Sequence, residues 1–296
     1  NVNDMATAFR NWARANSIAN ASMVVMQNGS LAGTFGHGSW TVDTQAHVAS
    51  LSKAITGACI LTLVESNRLT FETPLQRVLP VMVRTLTPAA RMRARFITVG
   101  SLLRHASRLR FDPTQQDADL AAVIAAANPT EEIARRALNR VGTTTGYFYN
   151  NANYAILSLI IARVTGQSYE TYCKGAVLTS RGAPNARIGA GVQVMGAFGG
   201  WEISAREYAN FYSRTFDPRS LAFMSQRGHD FLAAAPAAGF TVLDGCTNCN
   251  YGLGVIVVPT NGPRPPALRV RPHNLFHFGD WGPTNRTTPS GRMTER

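Results

Sequence analysis

Two serines and a lysine stand together in HVASLSKAIT, residues 47–56. Ser50 and Lys53 are spaced S-x-x-K, which on a helix puts both on one face and within reach of each other. A serine in the first turn of a helix also sits at the positive end of the macrodipole, which favours a developing alkoxide. A lysine desolvated in apolar surroundings can release its proton near neutral pH and then take one from the serine. Ser52 lies on a different face, next to the lysine, with poorer geometry. The same letters also suit small residues that open a buried helix, so the stretch alone does not choose. The 29 Lys+Arg include lysine at positions 53 and 174 alone, which sharpens interest in Lys53.

Two further groups could join this chemistry. Tyr149 and Asn151 form Y-x-N in YFYNNANYAILSLIIARVTGQSYE. A phenol held beside a lysine cation can lose its proton far below its free value and serve as general base. The Asn amide offers a donor and an acceptor to orient a substrate amide or ester and the lysine. The competing reading is that these residues cap the helix that follows. His277, Phe278, Gly279 and Asp280 spell HFGD on an expected strand. A cation-capable residue, a spacer and a glycine let substrate lie along a strand edge while a backbone N–H faces an oxyanion.

The elements that must carry these residues follow from periodicity. Asn3 or Asp4 is expected to cap a first helix with Met5, Phe9 and Trp12 on one face. ASMVVMQ and SLAGTFGHG read as strands joined by an Asn28-Gly29 hairpin turn. AITGACILTLVESNRL, directly after Lys53, is apolar on nearly every side and predicts a helix buried all round. ITVGSLLRHAS, DADLAAVIAAAN, TEEIARRALNRV, NANYAILSLIIARVTG and SAREYANFYSRTF carry helical spacing, and strands return at YGLGVIVV (251–258) and NLFHFGD (274–280). The expected plan is an α/β (α+β) chain. Residues 1–67 and 241–296 form a sheet-containing domain, with one antiparallel sheet built from both chain ends, and 68–240 form a mainly helical domain.

With 296 residues, 45% apolar and 16% charged, the chain is an ordinary globular sequence with an unusual net charge of +12. The arginine-dense stretches 91–96 and 264–271 lack the aromatic interleaving of a nucleic-acid reading surface, so no specific nucleic-acid partner is expected. No apolar run is long enough to span a bilayer, and the sequence opens on an amphipathic helix rather than a charged-then-apolar leader, so either a cytoplasmic protein or one whose leader has been removed is expected. Of the four cysteines, Cys59 and Cys173 read as buried thiols and Cys246–Cys249 as an oxidised pair outside the cytosol.

S-x-x-K, then Y-x-N, then H-x-G, in this order, resemble the penicillin-recognising serine hydrolases. ASLSKAITGACILTLVESNRLTFETPLQRVLP, ITVGSLLRHASRL, YNNANYAILSLIIARVTGQSYE and GGWEISAREYANFY resemble its class C β-lactamase-related branch, with its esterases and D-aminopeptidase or D-Ala-D-Ala carboxypeptidase-like members. The resemblance runs from about residue 20 to 282. It implies a β-lactamase/transpeptidase-like fold and a hydrolase that forms an acyl-enzyme on esters or D-amino-acid-type amides, with weak β-lactamase action. Ser50 would be the acylated nucleophile, Lys53 its proton partner and Tyr149 the general base. Asn151, His277, Phe278, Gly279 and Asp280 would bind substrate, with the N–H groups of Ser50 and Asp280 as oxyanion donors. No cofactor and no metal are implied; the partner is a small ester, amide or peptide. Family habit and the Cys246–Cys249 pair point to a periplasmic or secreted location, with the cytoplasm as the alternative.

The sequence departs from the pattern in several places. His277 replaces a lysine, Asp280 sets a carboxylate where a small residue is usual, Arg108 takes a glycine's place, and Arg135 stands where class A enzymes carry their deacylating glutamate. About 17 residues follow Gly279, whereas the family continues with two strands and a helix. The sheet is therefore expected to lack C-terminal strands and to leave an open edge; another copy completing that edge would make a homo-oligomer. Two alternatives stand beside the hydrolase: an impaired member acting as a ligand-binding or scaffold protein, and a metal site from Cys246, Cys249, His273 and His277.

Overall fold

The computed structural model describes residues 1–116, 118, 120–217, 221–234, 242, 249–259, 273–277 and 293–294. Helix α1 (Val2–Ala15) starts two or three residues earlier than expected. Asn1 caps it, and Asp4 returns the bond to complete a capping box. Its inward residues are Ala6 and Ala13, while Met5 is exposed, so the burying face is rotated from the one expected. Strands β1 (Ala21–Gln27) and β2 (Ser30–His37) pair antiparallel around Asn28 and Gly29, both at positive φ, as an Asn-Gly hairpin turn requires.

Helix α2 (Ser52–Glu65) is the centre of the molecule, with nearly every residue from Ser52 to Val64 buried. Around it lie α3 (Val99–Leu103), α4 (Pro129–Asn139), α5 (Asn151–Thr165) and α6 (Tyr169–Cys173). Helix α5 ends on Gly166 at φ 72°, a left-handed C-cap that suits glycine. Helix α7 (Ala205–Thr215) and α8 (Gln226–Ala233) complete the helical layer labelled here. One hydrophobic core runs through these helices and the last strands.

The strands fall into three hydrogen-bonded groups among the described residues. Besides the β1–β2 hairpin, β3 (Gln45–His47) pairs with β5 (Trp201–Ser204), which pairs with β4 (Arg187–Ile188). A four-stranded antiparallel sheet joins β6 (Asn250–Gly252), β7 (Val255–Pro259), β8 (His273–His277) and β9 (Met293–Thr294) in that order. The mixed antiparallel architecture is the one expected, but strands from the two chain ends do not share one hydrogen-bonded sheet among the described residues.

YGLGVIVV, expected as one strand, is folded into a hairpin at Leu253 and Gly254, at φ 52° and 81°. That turn seats on α2. A Cβ at Gly57 would strike the Leu253 carbonyl, and one at Gly254 the Lys53 carbonyl, so both contacts exist because glycine leaves room.

The cysteine expectation is overturned at Cys59 and Cys173. They form a disulfide with a Cα–Cα distance of 5.5 Å, tying α2 to the end of α6 across 114 residues of chain. Both are buried, as expected, but they are not thiols. Burial and partnership look alike in sequence, and packing of α6 on α2 decides between them. Cys249 is disulfide-bonded as well, which removes one thiolate from the metal alternative; Cys246 lies outside the described residues. No helix is long and apolar enough to cross a membrane among the described residues.

Candidate active site

Ser50 lies in a 3₁₀ turn, Ala49–Leu51, immediately ahead of α2. Ala49 enters it at φ 45°, an unfavourable conformation for a residue with a Cβ, so surrounding bonds must hold the turn. They do. Val48 N–H donates to Trp201 O at 3.0 Å, and Tyr208 Oη donates to Leu51 O at 3.1 Å. Ser52 is fully buried and its Oγ accepts from Trp201 N–H at 3.1 Å. Its hydroxyl therefore belongs to the scaffold that joins α2 to β5.

Two side chains converge on Ser50 Oγ. Lys53 Nζ donates to it at 3.1 Å and Tyr149 Oη donates at 2.9 Å. Lys53 Nζ also donates to Phe198 O at 2.8 Å and stands 4.7 Å from the Tyr149 ring centroid. The Phe198 carbonyl is a partner that sequence reading missed; a backbone acceptor carries no side-chain signature.

Burial sets the charge states. Removal from water pushes the Lys53 ammonium down to about 7, against a smaller upward pull from the Asp112 carboxylate. The Tyr149 phenol moves the other way. Burial pushes it well above its ordinary value, against a smaller downward effect of its bond to Ser50. Burial thus works against the phenolate that the expectation for Tyr149 requires, because both groups share a dry site that penalises each charged form.

Asn151 is the first residue of α5, and its surroundings differ from the expected ones. Its backbone N–H donates to Asp112 Oδ2 at 2.8 Å and its Nδ2 to Thr114 Oγ1 at 3.0 Å. Among the described residues no hydrogen bond joins it to Lys53 or Ser50. The cap is Asn150, whose Oδ1 accepts from Ala152 N–H at 2.8 Å. His277 pairs through its backbone with Met293 in β8 and β9. Phe278, Gly279 and Asp280 lie outside the described residues. Arg108 is at φ 67°, so an arginine here occupies the left-handed conformation that the glycine of the resembling loop would take without strain.

The Beta-lactamase family description matches residues 5–293, nearly the whole chain. The chain belongs to the Beta-lactamase family. That bears out the resemblance to the penicillin-recognising serine hydrolases and their fold. Among solved structures, this Beta-lactamase-family chain is similar to the octameric penicillin-binding protein homologue from Pyrococcus abyssi. That match has TM-score 0.73 and 18% identity, and covers 95% of this chain and 68% of that one. It is also similar to a D-stereospecific amidohydrolase from Streptomyces sp., with TM-score 0.69 and 18% identity, covering 91% and 85% of the two chains. A D-amino acid amidase from Ochrobactrum anthropi SV3 matches with TM-score 0.70 and 16% identity, covering 94% and 85%. Among curated sequences, Protein flp of Staphylococcus aureus (strain COL) is 29% identical over 166 residues, 52% of this chain. The matched stretch spans 32% of that relative's length.

Proposed function

We propose that this protein is a serine hydrolase that forms an acyl-enzyme on Ser50 with esters or D-amino-acid-type amides, in the manner of a carboxylesterase or D-Ala-D-Ala carboxypeptidase, with weak β-lactamase action. The observation that carries this reading is the convergence of Lys53 Nζ and Tyr149 Oη on Ser50 Oγ. The amidohydrolase and amidase named among the fold neighbours support the amide class.

The charge states assign the protons. Lys53, neutral above about pH 7, takes the Ser50 hydroxyl proton as Oγ attacks the carbonyl carbon. Tyr149 keeps its proton in the resting site and gives it to the departing amine or alkoxide, regaining one from Lys53. Water then cleaves the acyl-enzyme by the reverse relay, returning a proton to Ser50. In this reading Tyr149 is the proton shuttle and Lys53 the resting-state base, where the resemblance gave the base's role to Tyr149. Ser50 N–H supplies one oxyanion donor. Asn151, His277, Phe278, Gly279 and Asp280 line the substrate side in this proposal.

The buried Cys59–Cys173 disulfide supports a periplasmic or secreted location, where oxidising conditions sustain such bonds. The octameric state named for the Pyrococcus abyssi neighbour supports a homo-oligomer, which light scattering would read.

The test is a fluorophosphonate adduct mapped by peptide mass, followed by turnover of a p-nitrophenyl ester and a D-phenylalanine amide. An adduct on Ser50 with turnover of either substrate supports the reading. An adduct on another serine, or none, overturns it, and an adduct without turnover of either substrate leaves a scaffold that acylates.

A further inference from the structure

Tyr149 is held on both sides by a single residue that the relay above does not use. His105 lies just beyond α3 and is 1% exposed. Its carbonyl accepts from Phe148 N–H at 2.9 Å, and its ring Nδ1 accepts from Asn150 N–H at 3.2 Å. The residues before and after Tyr149 in the chain are therefore both tied to His105, one through backbone and one through side chain. A backbone N–H can only donate, so Nδ1 must present its lone pair, and the ring proton is fixed on Nε2.

The ring is itself held from a second direction. Asn153 Nδ2 reaches Nδ1 at 3.0 Å and also donates to Asn150 O at 3.1 Å, while Ser107 Oγ donates to Asn153 Oδ1. Four tyrosines surround the imidazole, with centroids 4.5 Å away at Tyr149, 4.7 Å at Tyr251, 5.2 Å at Tyr154 and 5.9 Å at Tyr147. His105 adopts φ 55°, a left-handed conformation that turns its carbonyl and ring toward the same strand of chain.

We propose that His105 is the positioning residue for Tyr149: by gripping the peptide groups on either side of it, it aims the phenol at Ser50 Oγ and keeps the resting site poised for proton transfer. This rests on the serine hydrolase reading. The chemistry of a relay depends on sub-ångström placement, and a hydroxyl 2.9 Å from its partner has little tolerance for drift. The grip also accounts for two side-chain bonds within the loop itself: Asn150 uses its side chain to cap α5, so its N–H is left for His105, and Asn153 points back from α5 to lock the ring.

Two variants separate the grip from backbone strain. His105→Asn keeps an acceptor near the Nδ1 position and tolerates a left-handed φ; His105→Gly tolerates the same φ and has no acceptor. Active sites are titrated with fluorophosphonate, and kcat and KM are measured per titrated site, with thermal melting as a check on folding. The expected result is that His105→Gly loses kcat about 10- to 100-fold per titrated site with KM little changed, while His105→Asn stays within about threefold of wild type. Equal loss in both variants, or wild-type kcat per site in both, overturns the positioning role. A fall in titratable sites with kcat per site intact shows a purely structural histidine and overturns it as well. Failure of the wild-type protein to take phosphonate at Ser50 fails the hydrolase reading, and the positioning role falls with it.

Discussion

Lys53→Met is expected to make the protein more stable and inactive at the same time. Lys53 is fully buried, and burial brings its ammonium from 10.5 down to about 7. In the unfolded chain the same lysine holds its proton until about pH 10.5. Between these values the unfolded state binds more protons, so stability rises with pH, and at pH 7 the folded protein carries a penalty of about 4 kcal/mol for hiding the amine. Methionine has similar length and no such penalty. It does leave Phe198 O without its donor, at a cost of about 1–3 kcal/mol. The variant should therefore gain about 1–3 kcal/mol at pH 7, with the gain shrinking by about 1 kcal/mol per pH unit and vanishing between about pH 8 and 10. Urea melts of both proteins at pH 7, 8 and 9 read this directly, alongside phosphonate labelling, which Lys53→Met should abolish. A stability gap that does not change with pH would refute the reasoning, because it would mean that Lys53 keeps an ordinary proton affinity in the fold.

Other outcomes follow from the same geometry. Acylation of wild type should rise with pH and level off above about 7, as the Lys53 amine becomes free to accept the serine proton; a rate flat from pH 5 to 9 would remove it as base. Ser50→Ala should abolish turnover, whereas Ser52→Ala should keep its labelling and lose about 1–3 kcal/mol of stability as Trp201 N–H loses its buried acceptor. Equal loss of labelling in both would misplace the nucleophile. Tyr149→Phe should lower kcat by about 10²- to 10⁴-fold with substrate binding retained, and near-normal turnover would dismiss the shuttle. Replacing both Cys59 and Cys173 with alanine frees a loop of more than a hundred residues, and should cost about 4–5 kcal/mol; a melting temperature within a degree or two of wild type would contradict that.

The sequence made some of this legible because the signals are local. Apolar residues on every face of AITGACILTLVE required a helix buried all round, and α2 is one. Asn-Gly between two alternating runs specified its hairpin. The order of S-x-x-K, Y-x-N and H-x-G indicated the family before any fold was known. What escaped was set by distant packing. The Cys59–Cys173 bond joins positions 114 apart, and nothing in either flanking segment names the other. The pairing of strands into separate sheets, and the turn hidden inside YGLGVIVV, likewise depend on neighbours far along the chain. The proton affinities of Lys53 and Tyr149 depend on how much water reaches them, so their proximity was readable while the direction of the tyrosine shift was not. His105 stands within a family-like stretch, yet its grip on residues 148 and 150 runs largely through backbone atoms, to which no motif assigns partners.

The turn at Leu253 and Gly254 has a consequence for how the protein is made. On the ribosome α2 emerges early, and it is the most uniformly apolar helix among the described residues. The hairpin that covers it, resting on Lys53 and Gly57, is synthesised nearly two hundred residues later. A nascent chain therefore carries part of its stickiest surface uncovered through most of translation, because the backbone of α2 at Lys53 and Gly57 meets the hairpin last. Holdase chaperones would find α2 the segment to guard until then.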